Sequence, residues 1–356
     1  MAGWYLILLA LFVTLFAYVF IPDNTPLANR MNLSISNQRP GFKAEMLKVP
    51  KSYSQSTNLM DRIFFGRSDD FEFIPLASYK VGDQAIYYRE FTGEEDANET
   101  LEKKVSFLQL GAKEGEQNFQ LNDFIVTRTF IFGTDRYGRD MFSRIVAGTR
   151  VTFSVGFVAV IISLFVGLFF GSLAGYFRGK VDSVILWIIN VIWSVPTLLL
   201  VISISLVLGK GFSQIFIAVG LTMWVDVARI VRSQLFSIRE LEFIAAGKAL
   251  GFRSWRIIAL HMLPNVIGPV LVVAASNFST AILLEAGLSF LGIGAQPPTP
   301  SWGSMIKENY GYIIIPGYAY LALLPGIAIM LLTMAFTFVA NGLRDAVDSK
   351  AQVTLI

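Results

Sequence analysis

The stretch EFIAAGKALGFRSWRIIALHMLPN, Glu242 to Asn265, lies between two long apolar segments. It is basic, rich in small residues, and punctuated by Gly251 and Pro264. Ile238 to Leu250 reads as a helix carrying Ala245, Ala246, Gly247 and Ala249. Gly251 supplies the left-handed residue that stops a helix, because glycine reaches that conformation without a Cβ penalty. Arg253 follows, and Ser254 can cap a second short helix, Trp255 to Met262, which contains His261. Leu263 then leads to Pro264, which closes it. Two helices joined at a glycine outside a bilayer make a compact knob suited to docking on another protein. Small residues are also common in ordinary helical connections, and spacing alone leaves both readings open.

Composition sets the class. Hydrophobic residues make up 54% of the 356-residue chain and charged ones 15%. A soluble domain carries about a quarter charged residues, so the lipid bilayer is the expected surroundings. A net charge of +3 is too small to imply a nucleic-acid partner. The absence of cysteine excludes disulfides and thiol chemistry. His261 is the one histidine, so no multi-histidine metal site is possible. HExxH, GxSxG, CxxC and the phosphate-cradling GxxxxGK[ST] are all missing. No enzyme chemistry, cofactor or ATP-binding loop is therefore expected within this chain.

Six apolar segments have span length. Trp4 to Ile21 is just long enough for ~30 Å of hydrocarbon and reads as an uncleaved first span. Residues 22–134 are polar and contain no such run. Phe71-Glu72-Phe73-Ile74 and Ala85-Ile86-Tyr87-Tyr88 read as short strands, with a turn at Val81-Gly82-Asp83. Glu94-Glu95-Asp96 and the group Lys113, Glu114 and Glu116 read as charged loop, and Asn98-Glu99-Thr100 as a chance sequon. The charged segment FGTDRYGRDMFSR, Phe132 to Arg144, precedes span two. Asp135/Arg139 and Asp140/Arg144 would support a short interfacial helix, and a solvated charged face is the simplest account of it. Val151 to Tyr176 is span two, with Gly167, Gly171 and Gly175 forming a face for close helix approach. Val184 to Leu208 is span three, kinked by Pro196. Phe212 to Ile230, Val266 to Phe290 and Tyr318 to Asn341 complete the set.

Charge orients the chain. The loop between spans four and five carries Arg229, Arg232, Arg239, Lys248, Arg253 and Arg256 against Glu240 and Glu242, which marks it cytoplasmic. Both termini then lie inside and 22–150 outside. Arg136, Arg139, Arg144 and Arg150 beside span two run against that rule. Two intramembrane acids stand out as functional candidates. Asp226 can pair with Arg229 three residues on.

Four stretches together resemble one family. They are GTDRYGRDMFSR (133–144), the segment from Trp224 to Pro264, EAGLSFLGIGAQPPTPSWG (285–303), and PGIAIMLLTMAF with GLRDAVD (325–348). The chain resembles an inner-membrane permease of the dipeptide/oligopeptide class of ABC importers, the C-type subunit, within the binding-protein-dependent transport permeases. The resemblance covers 131–350 closely and 1–22 loosely. Aligned on Gly251, the glutamate of the family's EAA signature falls on Ala245 and its alanines on Ala246 and Gly247. Glu242 is three residues early and is not its equivalent.

The resemblance implies an all-α polytopic membrane protein of six transmembrane helices, N-in/C-in; the small β-rich extracytoplasmic insert between helices 1 and 2, read from the strand-like stretches above, is longer than the family leads one to expect. The expected organisation is a first helix at 1–22, the insert at 23–132, and a permease core at 133–350 with a coupling loop at 236–265. A bacterial inner membrane is the implied location. The implied partners are a second permease subunit forming a heterodimer, two ATPase subunits and an extracytoplasmic solute-binding protein. Ala245, Ala246, Gly247, Gly251, Arg253, His261, Leu263 and Pro264 would contact the ATPase. Glu285, Ser289 and Asp226 are candidates for the pathway or its gate. For Glu285, an outer-gate or subunit-packing role is favoured over substrate contact. The cargo is read as peptides or similar small solutes.

Overall fold

A computed structural model describes residues 2–51, 58–67, 69–93, 101–111, 124–209 and 211–353. Residues 94–96, 98–100 and 113–116, read above as loops and a sequon, lie outside the described residues. Helix α1 spans Ala2–Phe20. The next elements are β1 (Phe42–Pro50), α2 (Leu59–Phe65), β2 (Phe71–Val81), β3 (Ala85–Glu90), β4 (Lys103–Ser106) and β5 (Ile125–Phe130). Helical structure dominates thereafter: α3 (Met141–Phe177), α4 (Gly179–Trp193), α5 (Thr197–Leu208), α6 (Phe212–Ile238), α7 (Glu242–Ala249), α8 (Ser254–Arg256), α9 (Ile267–Leu291), α10 (Trp302–Asn309) and α11 (Tyr320–Val353).

The strands form one antiparallel sheet in the order β4-β3-β2-β1-β5. Period-two alternation gives it a small core on each face. Leu47, Leu76, Ile86, Tyr88 and Val105 pack on one side, with Ile86 directly opposite Val105. Ala44, Met46 and Phe130 pack with Ile35 on the other.

Among the described residues, five helical stretches are long and apolar enough to cross a membrane: α1, α3, α6, 254–291 and α11. Helices α4 and α5 qualify together but meet at 94° across Ser194-Val195-Pro196. Pro196 therefore breaks the expected third span rather than kinking it, since proline donates no N–H and clashes with the preceding turn. The chain is a mostly helical, multi-pass membrane protein.

Helices α3 and α6 form the centre of the bundle. A Cβ on Gly167 would meet Val227 Cγ1 at 2.7 Å, and one on Gly171 would meet the Ala228 carbonyl oxygen at 2.6 Å. A Cβ on Gly175 would meet Leu235 Cβ at 2.7 Å. The three glycines thus form one face on which α6 lies in backbone contact, the packing that their spacing predicts.

Four boundaries differ from the sequence reading. Helix α3 begins ten residues before Val151, at Met141, with Asp140 as its N-cap accepting from the Ser143 amide at 3.0 Å. Helix α6 continues to Ile238, and a turn at 239–241 separates it from α7, so Ile238 to Leu250 is not one helix. Arg253, not Ser254, occupies the cap position of α8. Pro264 does not close its helix. A π-helical stretch, Ile257–Met262, passes into a 3-10 turn, Leu263–Val266, and then directly into α9. Pro264 sits in the opening positions of that turn, where a missing N–H costs nothing.

Candidate functional site

The stretch 242–265 folds as a knob at the end of the bundle formed by the C-terminus of α3, the start of α4 and the last turns of α6. Its inner face is apolar and covered. Ile244, Gly247, Ile257 and Met262 are buried against Tyr176, Val231, Leu235 and Ile238. At the α7 terminus the Phe252 amide donates to the Gly247 carbonyl at 3.1 Å and the Gly251 amide to Lys248 at 3.0 Å. That pair of bonds is the Schellman arrangement, and it needs the left-handed residue, Gly251 at φ +75°. No heavy atom comes within 4 Å of a Cβ built there, so the glycine is needed for conformation and not for space. Phe252 then serves as a platform: the Arg256 guanidinium lies 4.5 Å above it and the His261 ring stacks at 5.9 Å, 7° from parallel.

The outer face of the knob is the opposite. Leu241, Phe243, Leu250, Trp255 and Leu260 are exposed, Leu250 by 73% and Trp255 by 64%. Ala245, Ala246, Arg253 and Pro264 are exposed as well, while Leu263 and His261 are half-buried. Gly247 is buried, and a methyl there would reach Phe252 at an ordinary 3.5 Å, so within this chain its lack of a side chain is not a steric need. An apolar crown of this kind, rimmed by arginines and held on a rigid base, is the form of a protein-docking surface. The base is braced by Arg178, whose guanidinium meets Glu240 at 2.7 Å and donates to the Phe236 carbonyl at 3.0 Å. Asp182 at the start of α4 pairs with Arg232.

The opposite end of the bundle holds the charged segment 132–144, and neither the interfacial helix nor the solvated face describes it. The segment is a turn closed by a Thr134–Asp140 bridge, and Asp135, Arg139 and Arg144 are each 1% exposed. Arg139 Nε donates to Asp135 Oδ2 at 2.6 Å, its Nη2 to Glu308 Oε2 at 2.7 Å, and its Nη1 to Asn29 Oδ1 at 3.3 Å. Arg144 lies 3.7 Å from Asp135 and 3.9 Å from Glu308. Two guanidiniums and two carboxylates thus form a neutral buried cluster. It joins the turn to α10 and to the chain just after α1. Backbone bonds from Asn32 to Tyr137 and from Asn37 to Asp135 fix the segment leading into the sheet onto the same turn. Asp140, outside the spans, is also buried, and desolvation raises its carboxyl above the usual carboxylate range.

Glu285 is fully buried near the C-terminal end of α9. Its Oε1 accepts from Ser289 Oγ at 2.7 Å and from Ser301 Oγ at 2.6 Å. The Ala295 amide donates to Ser289 Oγ at 3.1 Å, and Ser301 caps α10. Glu285 and Ser289 therefore fasten the 292–301 loop to α9 inside the subunit and do not open onto its surface. Ser289 lies one helical turn away and is within reach of helical periodicity, whereas Ser301 lies 16 residues on, beyond a loop that no periodicity spans.

Asp226 behaves otherwise. It is exposed in the middle of α6. The expected ion pair with Arg229 does not form; instead the Arg229 guanidinium lies 3.5 Å over the Trp193 ring. The Trp193 indole approaches the Asp226 carboxylate from its place at the α4–α5 break.

Residues 167–353, a little over half the chain, match the family described as binding-protein-dependent transport system inner membrane component. The chain belongs to that family. The dipeptide transport system permease protein DppC of Alkalihalophilus pseudofirmus is 42% identical over 219 residues, which cover 62% of this chain and 71% of that protein. The oligopeptide transport system permease protein OppC of Bacillus subtilis is 37% identical over 219 residues, covering 62% and 71%. The glutathione transport system permease protein GsiD of Pectobacterium atrosepticum is 36% identical over 218 residues, covering 61% and 72%.

Proposed function

We propose that this chain is one permease subunit of an ATP-driven importer of peptides or similar small solutes in a bacterial inner membrane. It forms half of the pathway with a second, different permease subunit. Two ATPase subunits dock at 242–264, and a solute-binding protein delivers cargo at the opposite end. In this reading both termini and the knob face the cytoplasm. The first helix (1–22), the extracytoplasmic insert (23–132) and the permease core (133–350) act as separate functional regions, with the coupling loop at 236–265. The observation that carries the proposal is the knob: a base packed into the bundle, under an exposed apolar crown that no described residue covers. Three of the four arginines beside span two are accounted for in this orientation. Arg139 and Arg144 are neutralised inside the fold, and Arg150 is bound to the Thr14 and Leu15 carbonyls, which leaves the exposed Arg136 as the one of the four that runs against the rule.

ATP-driven closure of the two ATPases moves the knob as a lever on α6 and α9. Turning a two-state pathway almost fully from one state to the other takes about 5.5 kcal/mol of differential binding, which this contact must transmit. Ala245 occupies the signature's acid position, so docking rests on shape, on the apolar crown and on Arg253. Gly251 holds the bend, while Leu263, Pro264 and His261 fix the return into α9. Glu285 and Ser289 secure the outer loop of the gate from within.

The test is reconstitution of the chain with its second permease, ATPases and binding protein in proteoliposomes. ATP-dependent peptide uptake is expected, and Leu250→Asp with Trp255→Asp should abolish it together with ATPase co-purification. Full uptake by the double variant would overturn the proposal, and so would peptide movement through this chain without ATPases, as in a secondary transporter.

A further inference from the structure

We infer that Asp226 is a recognition site within the pathway for the α-ammonium of the peptide in transit, held in place by Trp193 and Arg229. The inference rests on the permease reading above. An ionised side chain in a membrane helix is costly unless it faces protein or water. Asp226 lies six residues, about 9 Å, along α6 from Arg232 and so well inside the apolar stretch. Its own subunit leaves it exposed. The other charges on α6 are already engaged: Arg232 by Asp182, and Arg229 on the face of Trp193. Asp226 makes no direct ion pair among the described residues: the neighbouring Arg229 guanidinium lies on the Trp193 ring, and the carboxylate keeps room for a second cation. Trp193 is itself 61% exposed beside the Ser194–Pro196 break, where the chain bends by 94°. Carboxylate, indole and guanidinium thus form one small polar surface on an otherwise apolar face.

Charge complementarity selects the occupant. Dipeptides, oligopeptides and glutathione, the cargoes named for three relatives, differ in size and side chains. They share a free α-ammonium. A single carboxylate with an adjacent aromatic face recognises that group and tolerates the rest, because a cation gains both from the charge and from the ring. The carboxylate takes one hydrogen bond from Trp193 and keeps acceptor capacity for cargo.

The chain has no cysteine of its own, which permits a charge-rescue test in the assembled, reconstituted transporter. Asp226→Cys should lower peptide uptake about tenfold, the loss of one charge-assisted contact. Modification with a sulfonate-bearing methanethiosulfonate, which restores a negative charge, should recover uptake, and the trimethylammonium reagent should not. Failure of either reagent to label the position, by mass of this subunit, would mean that the partner permease covers Asp226 and would overturn the inference. Equal effects of the two reagents would overturn it as well, and so would undiminished uptake by the variant. Absence of uptake by the wild-type assembly would instead bring down the permease reading and this inference with it.

Discussion

Glu308→Gln removes one charge from the cluster at the insert end of the bundle. In the native protein Glu308 Oε2 accepts from Arg139 at 2.7 Å and lies 3.9 Å from Arg144, while Asp135 meets the same two arginines at 2.6 and 3.7 Å. Glutamine leaves two guanidiniums facing one carboxylate where both arginines are 1% exposed. Unit charges 4 Å apart interact by about 4 kcal/mol at an effective dielectric near 20. Removing one member of a buried pair commonly costs 3–5 kcal/mol. The glutamine oxygen still accepts one hydrogen bond from Arg139, recovering about 1 kcal/mol. The expected loss is therefore about 3 kcal/mol, seen as a fall of several degrees in the thermal transition of the purified assembly. Arg144→Met in the same background returns the cluster to neutrality and should recover at least ~1 kcal/mol relative to additivity. Strict additivity of the two substitutions would refute the reasoning, since it would show that the four groups do not share one electrostatic site.

Other consequences are equally direct. Gly171→Ala places a methyl 2.6 Å from the Ala228 carbonyl oxygen, so α3 and α6 must separate; a loss of roughly 1–3 kcal/mol is expected by thermal unfolding. Gly287→Ala meets only Leu198 at 3.8 Å and should be neutral or slightly stabilising in the same measurement. Glu285→Ala leaves Ser289 and Ser301 without their acceptor and should lower uptake severalfold, while Glu285→Gln, which keeps an acceptor oxygen, should retain most of it. Asp140→Ala should cost about 1 kcal/mol through the lost α3 cap, and Asp140→Asn much less. Because burial raises the Asp140 carboxyl, its protonated form is favoured in the folded state. Its contribution is present below the ordinary carboxylate pKa of 3.8 and is lost as pH rises through the raised folded value, so acid unfolding curves of Asp140→Asn should lack that component.

Local rules were readable wherever the physics is local. Gly251 follows from the stereochemistry of a single residue, and the glycines of α3 follow from helical spacing. Pro196 announced a disturbance in its span, but the 94° angle depends on what α4 and α5 pack against. The cluster at 135–144 was misread as solvated because the acid that helps bury Arg139 is Glu308, 169 positions away. Glu285 drew attention as an intramembrane charge, yet its meaning depended on Ser301 beyond a loop. Pro264 looked like a terminator because proline usually stops a helix; here a π-helical turn and a 3-10 turn carry the chain past it into α9. At the knob, composition showed basic charge and small residues. Which side chains face inward depends on the turn at 239–241 and became visible only in the fold.

Photo-crosslinking from Leu250 and Trp255 in the assembled transporter tests the central claim most directly, because both side chains lie on the crown and neither supports the base. A crosslinking amino acid at either position should join this chain to an ATPase subunit in a yield that changes with ATP, while the same group at the exposed Leu101 of the insert should give no such product. Capture of the ATPase from Leu101 but from neither knob position, in an assembly that still imports peptide, would contradict the account.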